Sequence, residues 1–253
     1  MTQRLRKTSS TAKPTTTKVL RENSAAQAAS RPARDEEPKP TVASRLRKTS
    51  KRNTPNAQAE PKASIERRPA VLVLTSGGLD SAAAIAFFRG KKYEVSGLFI
   101  DYGQVAAEQE KLAAERTAKH FKIDLRTVTL SPGLGTGAGY VPGRNLLLTS
   151  VALAHVPFQC GTIALGIHAG TIYPDCSQLF VDCVQRVFEL YTDGKLLLSS
   201  PFLAWTKQDI FEFAKSAKVP MDLTYSCEAG TVPECGKCKT CLDLATLRGG
   251  RDE

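Results

Sequence analysis

The first 68 residues of the chain lack aromatic residues entirely, and aliphatic residues are few among them. Threonine, serine, alanine, proline, lysine and arginine make up most of this segment. A segment of this composition cannot bury enough apolar surface to offset the conformational entropy that it would lose on ordering. We therefore predict that residues 1–68 form a disordered tail outside the folded part of the chain.

Acidic residues are scarce in this tail, which contains 17 Lys or Arg but only 6 Asp or Glu. Residues 69–253 contain 18 Lys or Arg and 19 Asp or Glu. The net charge of +10 therefore belongs to the tail. The hexapeptide RLRKTS occurs twice, at residues 4–9 and 45–50, and two basic copies favour contact with nucleic acid or another acidic partner. The alternatives are a solvated low-complexity extension, a displaced start site, and a transit peptide, since Glu22 is the only acid among the first 34 residues.

The chain also lacks a run of about 18 or more apolar residues, which a membrane-spanning helix would need. We therefore expect no membrane span and a cytoplasmic protein. Hydrophobic residues still make up 42% of the chain. This is enough for a folded core, which must lie within residues 69–253.

Residues 69–253 alternate between short apolar runs and longer helical patterns. The predicted strands cover residues 71–74, 95–100, 125–130, 162–165 and 196–198. The predicted helices cover residues 80–89, 105–122, 145–155, 179–191 and 206–218, the last starting at a capping box of Thr206 and Asp209. Such alternation predicts an open, mostly parallel sheet with helices on both faces. We therefore predict a doubly wound α/β domain over residues 69–220, with a further segment over residues 221–253.

The stretch SGGLDS at residues 76–81 directly follows the first predicted strand. Ligands of doubly wound sheets bind beyond the carboxyl ends of the strands. Glycines at such a place let backbone N–H groups approach an anion, and the following helix adds free N–H groups and its positive dipole end. The hydroxyls of Ser76 and Ser81 are further donors. The stretch therefore predicts a phosphate-binding turn, with a purely structural turn as the alternative.

Four of the seven cysteines follow the spacing Cys-x7-Cys-x2-Cys-x2-Cys, namely Cys227, Cys235, Cys238 and Cys241. A Cys-x2-Cys turn brings two sulfurs within reach of one ion, and four thiolates fill the tetrahedral shell of zinc. Disulfides are disfavoured because nothing in the sequence indicates secretion. We therefore predict a structural Zn²⁺ site in residues 221–253. Cys160, Cys176 and Cys183 are not spaced as a site.

The SGGLDS turn resembles the pyrophosphate-binding loop of the N-type ATP pyrophosphatases, which split ATP between its α and β phosphates to adenylate an oxygen atom of a substrate. Together with the four cysteines, it resembles the 7-cyano-7-deazaguanine synthase (QueC) family. Four further stretches match that family in order, namely FIDYGQ at 99–104, YVPGRNLLL at 140–148, YPDC at 173–176 and WTKQDI at 205–210. The resemblance covers about residues 70–247, so the tail lies outside it.

This resemblance implies an adenine nucleotide α-hydrolase-like fold and a two-stage reaction. Members of the family adenylate 7-carboxy-7-deazaguanine with ATP and Mg²⁺, and ammonia displaces AMP to give an amide. The amide is then adenylated and converted to a nitrile. The members are commonly homodimers, so a homodimer is expected here as well.

The resemblance also implies roles for individual residues. The turn would bind the pyrophosphate, with Asp80 near the metal ion, through Ser76, Gly77, Gly78, Leu79, Asp80 and Ser81. Arg144 would act catalytically beside Asn145, near the α-phosphate or the carboxylate, although a plain surface cation is the alternative. Tyr173 and Asp175 would bind the deazaguanine, with Asp175 accepting hydrogen bonds from its guanine-like N–H groups. The alternative for Asp175 is an acid at a helix N-terminus.

The sequence departs from the family in the substrate region. The family has DYSGYPDCR there, whereas this chain reads GIHAGTIYPDCSQLF at residues 166–180. This divergent form resembles family relatives found in prokaryotic defence operons. The resemblance implies, as an alternative function, a QueC-like ligase that joins the adenylated deazaguanine acid to an amine of a macromolecule in a defence or modification pathway. In such a ligase His168 would act as a base toward the amine. Otherwise His168 is a polar residue at a strand end with its hydrogen bonds satisfied.

Two other hypotheses remain. A basic tail and a four-cysteine zinc knuckle could form a nucleic-acid-binding module on an inactive enzyme fold. Against this, residues 69–253 carry a net charge of −1 and the tail has no aromatic residues to stack on bases. A tRNA-thiolating enzyme would use a similar turn, but it usually needs a redox-active cysteine pair, and the metal site accounts for the x2 pairs.

Overall fold

The computed structural model describes residues 68–131, 133–134, 137, 139–157, 161–168 and 170–249. The predicted tail up to residue 67 and Cys160 lie outside the described residues. Within the described residues, no helix has the length and apolar character that crossing a membrane requires.

Strands and helices alternate along the chain as the sequence predicts. The strands are β1 (Ala70–Leu74), β2 (Glu94–Asp101), β3 (Leu125–Thr129), β4 (Gly161–Ala164) and β5 (Leu196–Ser199). The helices are α1 (Leu79–Gly90), α2 (Ala107–Phe121), α3 (Arg144–His155), α4 (Gln178–Thr192), α5 (Lys207–Ser216) and α6 (Lys239–Gly249). Single 3₁₀ turns lie at Pro174–Cys176 and Met221–Leu223. Helix α6 is the element that the sequence did not predict.

All five strands are parallel, and their order across the sheet is β3-β2-β1-β4-β5. The order reverses between β1 and β4, which pair through Val71 with Thr162 and Val73 with Ala164. Because the chain leaves β1 toward one edge and returns beside it at β4, the carboxyl ends of these two strands border a crevice. The predicted doubly wound sheet is therefore confirmed.

Strand β1 shows why the sheet is covered on both faces. Its residues alternate, so Val71 and Val73 pack with α1 and α5, whereas Leu72 and Leu74 pack with α3 and α4. All four side chains are buried. An apolar strand without polar positions is the pattern of a central strand in a parallel sheet.

Helix α5 starts as its sequence predicts. The side chain of Thr206 accepts a hydrogen bond from the Asp209 backbone N–H at 3.1 Å, and the Asp209 carboxylate accepts one from the Thr206 N–H at 2.8 Å. This reciprocal pair is a capping box, and it fixes the first turn of the helix, including Lys207. The same helix packs on α1 through Ile210 and Ala214, which brings its start near the carboxyl end of β1.

Candidate active site

The turn between β1 and α1 is pressed against helix α2. Gly77 has a φ of +78°, and a Cβ added to it would lie 2.3 Å from the backbone oxygen of Glu110. Both the positive φ and this close approach require glycine. Gly78 differs, because its φ is −82° and a Cβ there would meet its nearest atom at 3.5 Å. Gly77 is thus required where the turn packs on α2. A Cβ at Gly78 would make only ordinary van der Waals contacts.

The turn presents donors at the start of α1. Among the described residues, no hydrogen bond engages the backbone N–H groups of Leu79, Asp80 and Ser81, which are the free N–H groups expected in a first helical turn. The Ser81 hydroxyl donates to the Gly78 oxygen at 2.9 Å, and the Ser76 hydroxyl lies 3.5 Å from that of Ser81. Free amides and a positive helix end favour a phosphate group at this place.

Asp80 forms an ion pair with Lys207 at the start of α5. Lys207 Nζ lies 2.5 Å from Oδ1 and 2.6 Å from Oδ2 of Asp80. The side chains are 21% and 25% exposed, so the pair is largely withdrawn from solvent. Charge-assisted hydrogen bonds of this kind hold both groups in one geometry. The stretch WTKQDI was predicted to match the family, but Lys207 within it was not predicted as a site residue.

His168 lies on the other side of Asp80, just after β4. Its Nε2 is 3.9 Å from Asp80 Oδ2, and its Nδ1 is 3.0 Å from the backbone N of Gly170. Burial lowers the pKa of His168, and the neighbouring Asp80 offsets part of that shift. Burial therefore favours the neutral form of the imidazole.

A cavity of about 750 Å³ opens at this place. Its walls come from the SGGLDS turn, the end of β2, the start of α3, the segment after β4, and the C-terminal cysteine segment with α6. The predicted site residues Ser76, Gly78, Leu79, Asp80, Ser81, Arg144, Asn145 and Tyr173 all line it. A crevice beyond the strand ends of a doubly wound sheet is the usual place for a ligand.

Arg144 begins α3, and its positive charge acts on Tyr102, which follows β2, and on Glu110 in α2. Burial raises the pKa of Glu110 and of Tyr102, and the positive charge of Arg144 counteracts both shifts. Gln104 bridges this group, since its Nε2 donates to Glu110 at 2.9 Å and its Oε1 accepts from the Tyr102 backbone N–H at 2.9 Å. Glu110 and Gln104 were not predicted as site residues, although Gln104 lies in the stretch FIDYGQ that matches the family.

Asp175 and Asn145 contact one another. Asp175 Oδ2 accepts a hydrogen bond from the Asn145 backbone N–H at 3.2 Å, and Asn145 Nδ2 donates to the Asp175 backbone oxygen at 3.0 Å. Both residues are buried, and Asp175 is not among the residues that line the cavity. This is the contact of an acid at a helix N-terminus. The contact of Asp175 with guanine-like N–H groups stays a prediction.

Tyr173 does line the cavity, and its ring stacks on that of Tyr140. The ring centroids are 4.4 Å apart and the planes are inclined by 20°. Tyr140 precedes α3, so the stacked pair joins the segment before α3 to the segment after β4. Two rings in this arrangement give an apolar face on which a flat heterocycle can pack.

The four predicted cysteines form one cluster. Their Sγ atoms lie within 4.8 Å of one another, as a shared metal ion requires. Burial alone would raise the pKa of Cys227, but the N–H groups of Cys235 and Ala229 lower it below its ordinary value. Backbone N–H groups also approach sulfur at Cys235, whose Sγ is 3.3 Å from the N atom of Cys238. The cluster can hold a metal ion with no ligand position left open.

The cysteine cluster also borders the SGGLDS turn. The backbone N–H of Tyr225 donates to the Gly77 oxygen at 2.9 Å, and Ser226 lines the cavity. Tyr225 packs with Cys227 and with Ala106 and Ala113 of the α2 region. A metal ion held by Cys227 would therefore stabilise the segment that holds the turn. Ser226 and Lys239 also line the cavity. They were not predicted as site residues, because only the cysteines of this segment follow a recognisable spacing.

Comparisons with known proteins identify relatives of the chain. The family model "Queuosine biosynthesis protein QueC" matches residues 70–137 and 133–246. The 7-cyano-7-deazaguanine synthase of Prochlorococcus marinus (strain MIT 9515) is 32% identical over 207 residues, covering 70% of this chain and 92% of that protein. The synthase of Aquifex aeolicus (strain VF5) is 29% identical over 216 residues, covering 73% and 99%. The solved structure of NH3-dependent NAD synthetase from Campylobacter jejuni is a distant likeness, with 16% identity, a TM-score of 0.39, and coverage of 74% of this chain and 81% of that chain.

Proposed function

The chain belongs to the QueC family of queuosine biosynthesis proteins, and on this premise we propose that it converts 7-carboxy-7-deazaguanine and ammonia to 7-cyano-7-deazaguanine with ATP. Its curated relatives are ATP-dependent carbon–nitrogen ligases of this kind. The observation that carries the proposal is that one cavity contains the phosphate-binding turn, the Asp80–Lys207 pair and Arg144.

We propose that the substrate carboxylate attacks the α-phosphate of ATP, giving an acyl adenylate and pyrophosphate. Ammonia then adds to the acyl carbon and loses one proton, the bond from this carbon to the AMP oxygen breaks, and an amide and AMP result. The amide oxygen attacks the α-phosphate of a second ATP and releases pyrophosphate. Loss of AMP and of both amide protons then leaves the nitrile. A carboxylate oxygen is a poor leaving group, whereas AMP is a good one, so two adenylations suffice for the whole conversion.

In this scheme the residues of the chain mainly position the substrates and neutralise the negative charge of the phosphates. The free N–H groups of Leu79, Asp80 and Ser81 would hold the leaving pyrophosphate, together with the hydroxyls of Ser76 and Ser81. Asp80 would hold the Mg²⁺ that accompanies ATP, which would release Lys207 to the phosphates. Arg144 would neutralise the α-phosphate or the carboxylate, and Tyr173 would pack on the deazaguanine.

The metal of the cysteine cluster is proposed to be a structural Zn²⁺. Four sulfur ligands within 4.8 Å of one another match its preferred donor set. Thiolate ligands persist in a reducing compartment, which supports the expected cytoplasmic location. The expected homodimer and the acidic or nucleic-acid partner of the tail stay predictions.

One observation favours a second candidate, in which the adenylated acid is joined to an amine of a macromolecule. Ile172 replaces a residue of the family's substrate stretch, and it is 98% exposed beside the cavity. The apolar side chain of Ile172 thus lies in solvent at the cavity. In the second candidate, an acceptor larger than ammonia would approach the acyl adenylate past this residue.

The test is an assay of AMP and pyrophosphate release with 7-carboxy-7-deazaguanine, in the presence and absence of ammonium, with the product identified by mass. A nitrile product formed with ammonium supports the synthase. Release that does not depend on ammonium supports the ligase, and no release with the acid favours the nucleic-acid-binding module. Asp80→Ala is expected to abolish release, whereas Asp182→Ala, on the exposed side of α4, serves as the control. Retained turnover in Asp80→Ala would contradict the assignment of the turn.

A further inference from the structure

His168 is a buried side chain that the scheme above does not use. It is only 8% exposed, and it lines the cavity just beyond the end of β4. A Cβ added to Gly170 would lie 2.9 Å from Nδ1 and Cε1 of its ring. The backbone of Gly170 therefore closes on the imidazole, which holds the ring in place.

The contact with Gly170 determines which nitrogen of the ring carries the proton. Because Nδ1 accepts the hydrogen bond from the Gly170 N–H at 3.0 Å, Nδ1 has no proton of its own. The proton of the neutral ring is then on Nε2. The structure thus defines one tautomer, in which Nε2–H is a donor.

This donor has no partner in the described part of the chain. Asp80 Oδ2 is a charged neighbour, but at 3.9 Å it lies beyond hydrogen-bonding distance. Both oxygens of Asp80 already accept from Lys207. His168 lines the cavity, so this donor is available to the cavity, where water or an oxygen of a bound ligand can accept its hydrogen bond.

We propose that His168 Nε2–H donates a hydrogen bond to an anionic oxygen of the bound substrates, where the nucleotide and the acid meet. The donor lies 3.9 Å from Asp80 of the SGGLDS turn, and it lines the same cavity as Tyr173, which is proposed to pack on the deazaguanine. An oxygen at this junction belongs either to the α-phosphate or to the carboxylate. The inference rests on the proposed function, since it takes these two substrates as the ligands.

The same tautomer argues against the base role considered for His168 in the ligase hypothesis. A nitrogen that carries a proton cannot accept one from an amine, and Nδ1 faces the Gly170 backbone rather than the cavity. His168 therefore stabilises charge, and an amine acceptor would lose its proton to another group. His168 is likewise not a polar residue whose hydrogen bonds are all satisfied within the described chain.

The tautomer and the contact can be measured by ¹⁵N NMR on protein with labelled histidine. The chain has only three histidines, and a His168→Gln spectrum assigns the signals of His168. We expect a protonated Nε2 and an unprotonated Nδ1 in the free protein. ATP and 7-carboxy-7-deazaguanine are then added separately, and the ligand that shifts the Nε2–H signal identifies the oxygen. A proton on Nδ1, or no shift with either ligand while both bind, would overturn the proposal.

Variants supply a second measurement. His168→Phe removes the donor, and we expect its kcat/KM for AMP release to fall at least tenfold. His168→Gln can place an amide N–H near the position of Nε2, so it should recover most of the loss. His155→Gln is the control, because His155 is exposed and contacts its own helix at Val151. Equal kcat/KM values for AMP release in wild type and His168→Phe would refute this proposal alone. A wild-type protein that binds neither substrate would refute the proposed function itself.

Discussion

Lys207 Nζ lies 2.5 and 2.6 Å from the two carboxylate oxygens of Asp80, although the residues are 127 positions apart in the chain. Asp80 is in the first turn of α1, and Lys207 is the first residue of α5. The packing of α5 on α1 brings these two helix starts together beside the cavity. The two charges therefore neutralise each other where the triphosphate of ATP is proposed to bind.

Replacing Lys207 by methionine should lower AMP formation at least a hundredfold. The variant retains the apolar stem but removes the cation that is proposed to move from Asp80 to the phosphates. Lys207→Arg should recover only part of the activity, because a guanidinium has a different shape and donor geometry. The measurement is kcat/KM for ATP in the AMP-release assay.

The double variant Asp80→Asn/Lys207→Met provides the control for this ion pair. Residues that act as one unit give losses that do not add. The double variant should therefore be no less active than the worse of the two single variants. Fully additive losses would indicate that the two side chains act independently, in disagreement with their contact.

The two glycines of the turn are expected to respond differently to alanine. Gly77→Ala places a Cβ 2.3 Å from the Glu110 backbone oxygen in a residue with a φ of +78°, which should cost about 2–4 kcal/mol of unfolding free energy. Gly78→Ala meets no atom closer than 3.5 Å. The methyl group would make ordinary contacts with Ser76 Oγ, Ser226 Oγ and the Tyr225 oxygen, so stability should be nearly unchanged. Because Ser76 and Ser226 line the cavity in which the phosphates are proposed to bind, the variant should weaken ATP binding. Urea unfolding and ATP titration separate the two effects.

The opposite result is informative as well. If Gly78→Ala bound ATP as wild type does, the space beside Gly78 would not hold a phosphate. If Gly77→Ala were fully stable, the turn would not be pressed against α2 as the structure shows.

The parts of the fold that were predictable from sequence depend on neighbouring residues. The apolar strand β1, the turn with its two glycines and the capping box of Thr206 and Asp209 are each determined within a few positions of the chain. The cysteine cluster was predictable for the same reason, since the spacing of Cys235, Cys238 and Cys241 is a local pattern. Parallel pairing followed from the alternation of strands and helices.

Features that depend on strand order were not predictable in this way. Lys207 meets Asp80 only because α5 returns beside α1, and no local pattern encodes this. The hydrogen bond from the Asn145 N–H to Asp175 Oδ2 was not predictable either, because it forms where a 3₁₀ turn lies against the start of α3. The substrate role of Asp175 stays a prediction. Helix α6 was missed because its apolar residues do not form one clear stripe. Leu244 is buried, whereas Leu242 is 53% exposed.

Replacing Cys238 by serine should release the metal and lower the Tm by about 5 °C or more, since 1 kcal/mol corresponds to about 2–4 °C in a domain of this size. Because Tyr225 donates to the Gly77 oxygen and packs against Cys227, the KM for ATP should rise as well. Cys183→Ser is the control, since Cys183 is exposed on α4 and outside the cluster. Metal content by mass spectrometry, Tm and KM are measured together. An unchanged Tm in metal-free Cys238→Ser would argue against a structural metal.

The capping box of α5 should make stability depend on pH. Hydrogen bonds from the backbone N–H and the hydroxyl of Thr206 lower the pKa of Asp209. A carboxyl group whose folded pKa is depressed stabilises the fold above its unfolded pKa, near 4, and this contribution is lost as the pH falls through the lower folded value. Wild type should therefore be more stable than Asp209→Asn at pH 7, and the difference should shrink toward pH 3 in urea unfolding. Loss of metal at low pH affects both proteins alike and cancels. A difference that stays constant between pH 7 and pH 3 would show that the carboxylate does not contribute to the cap.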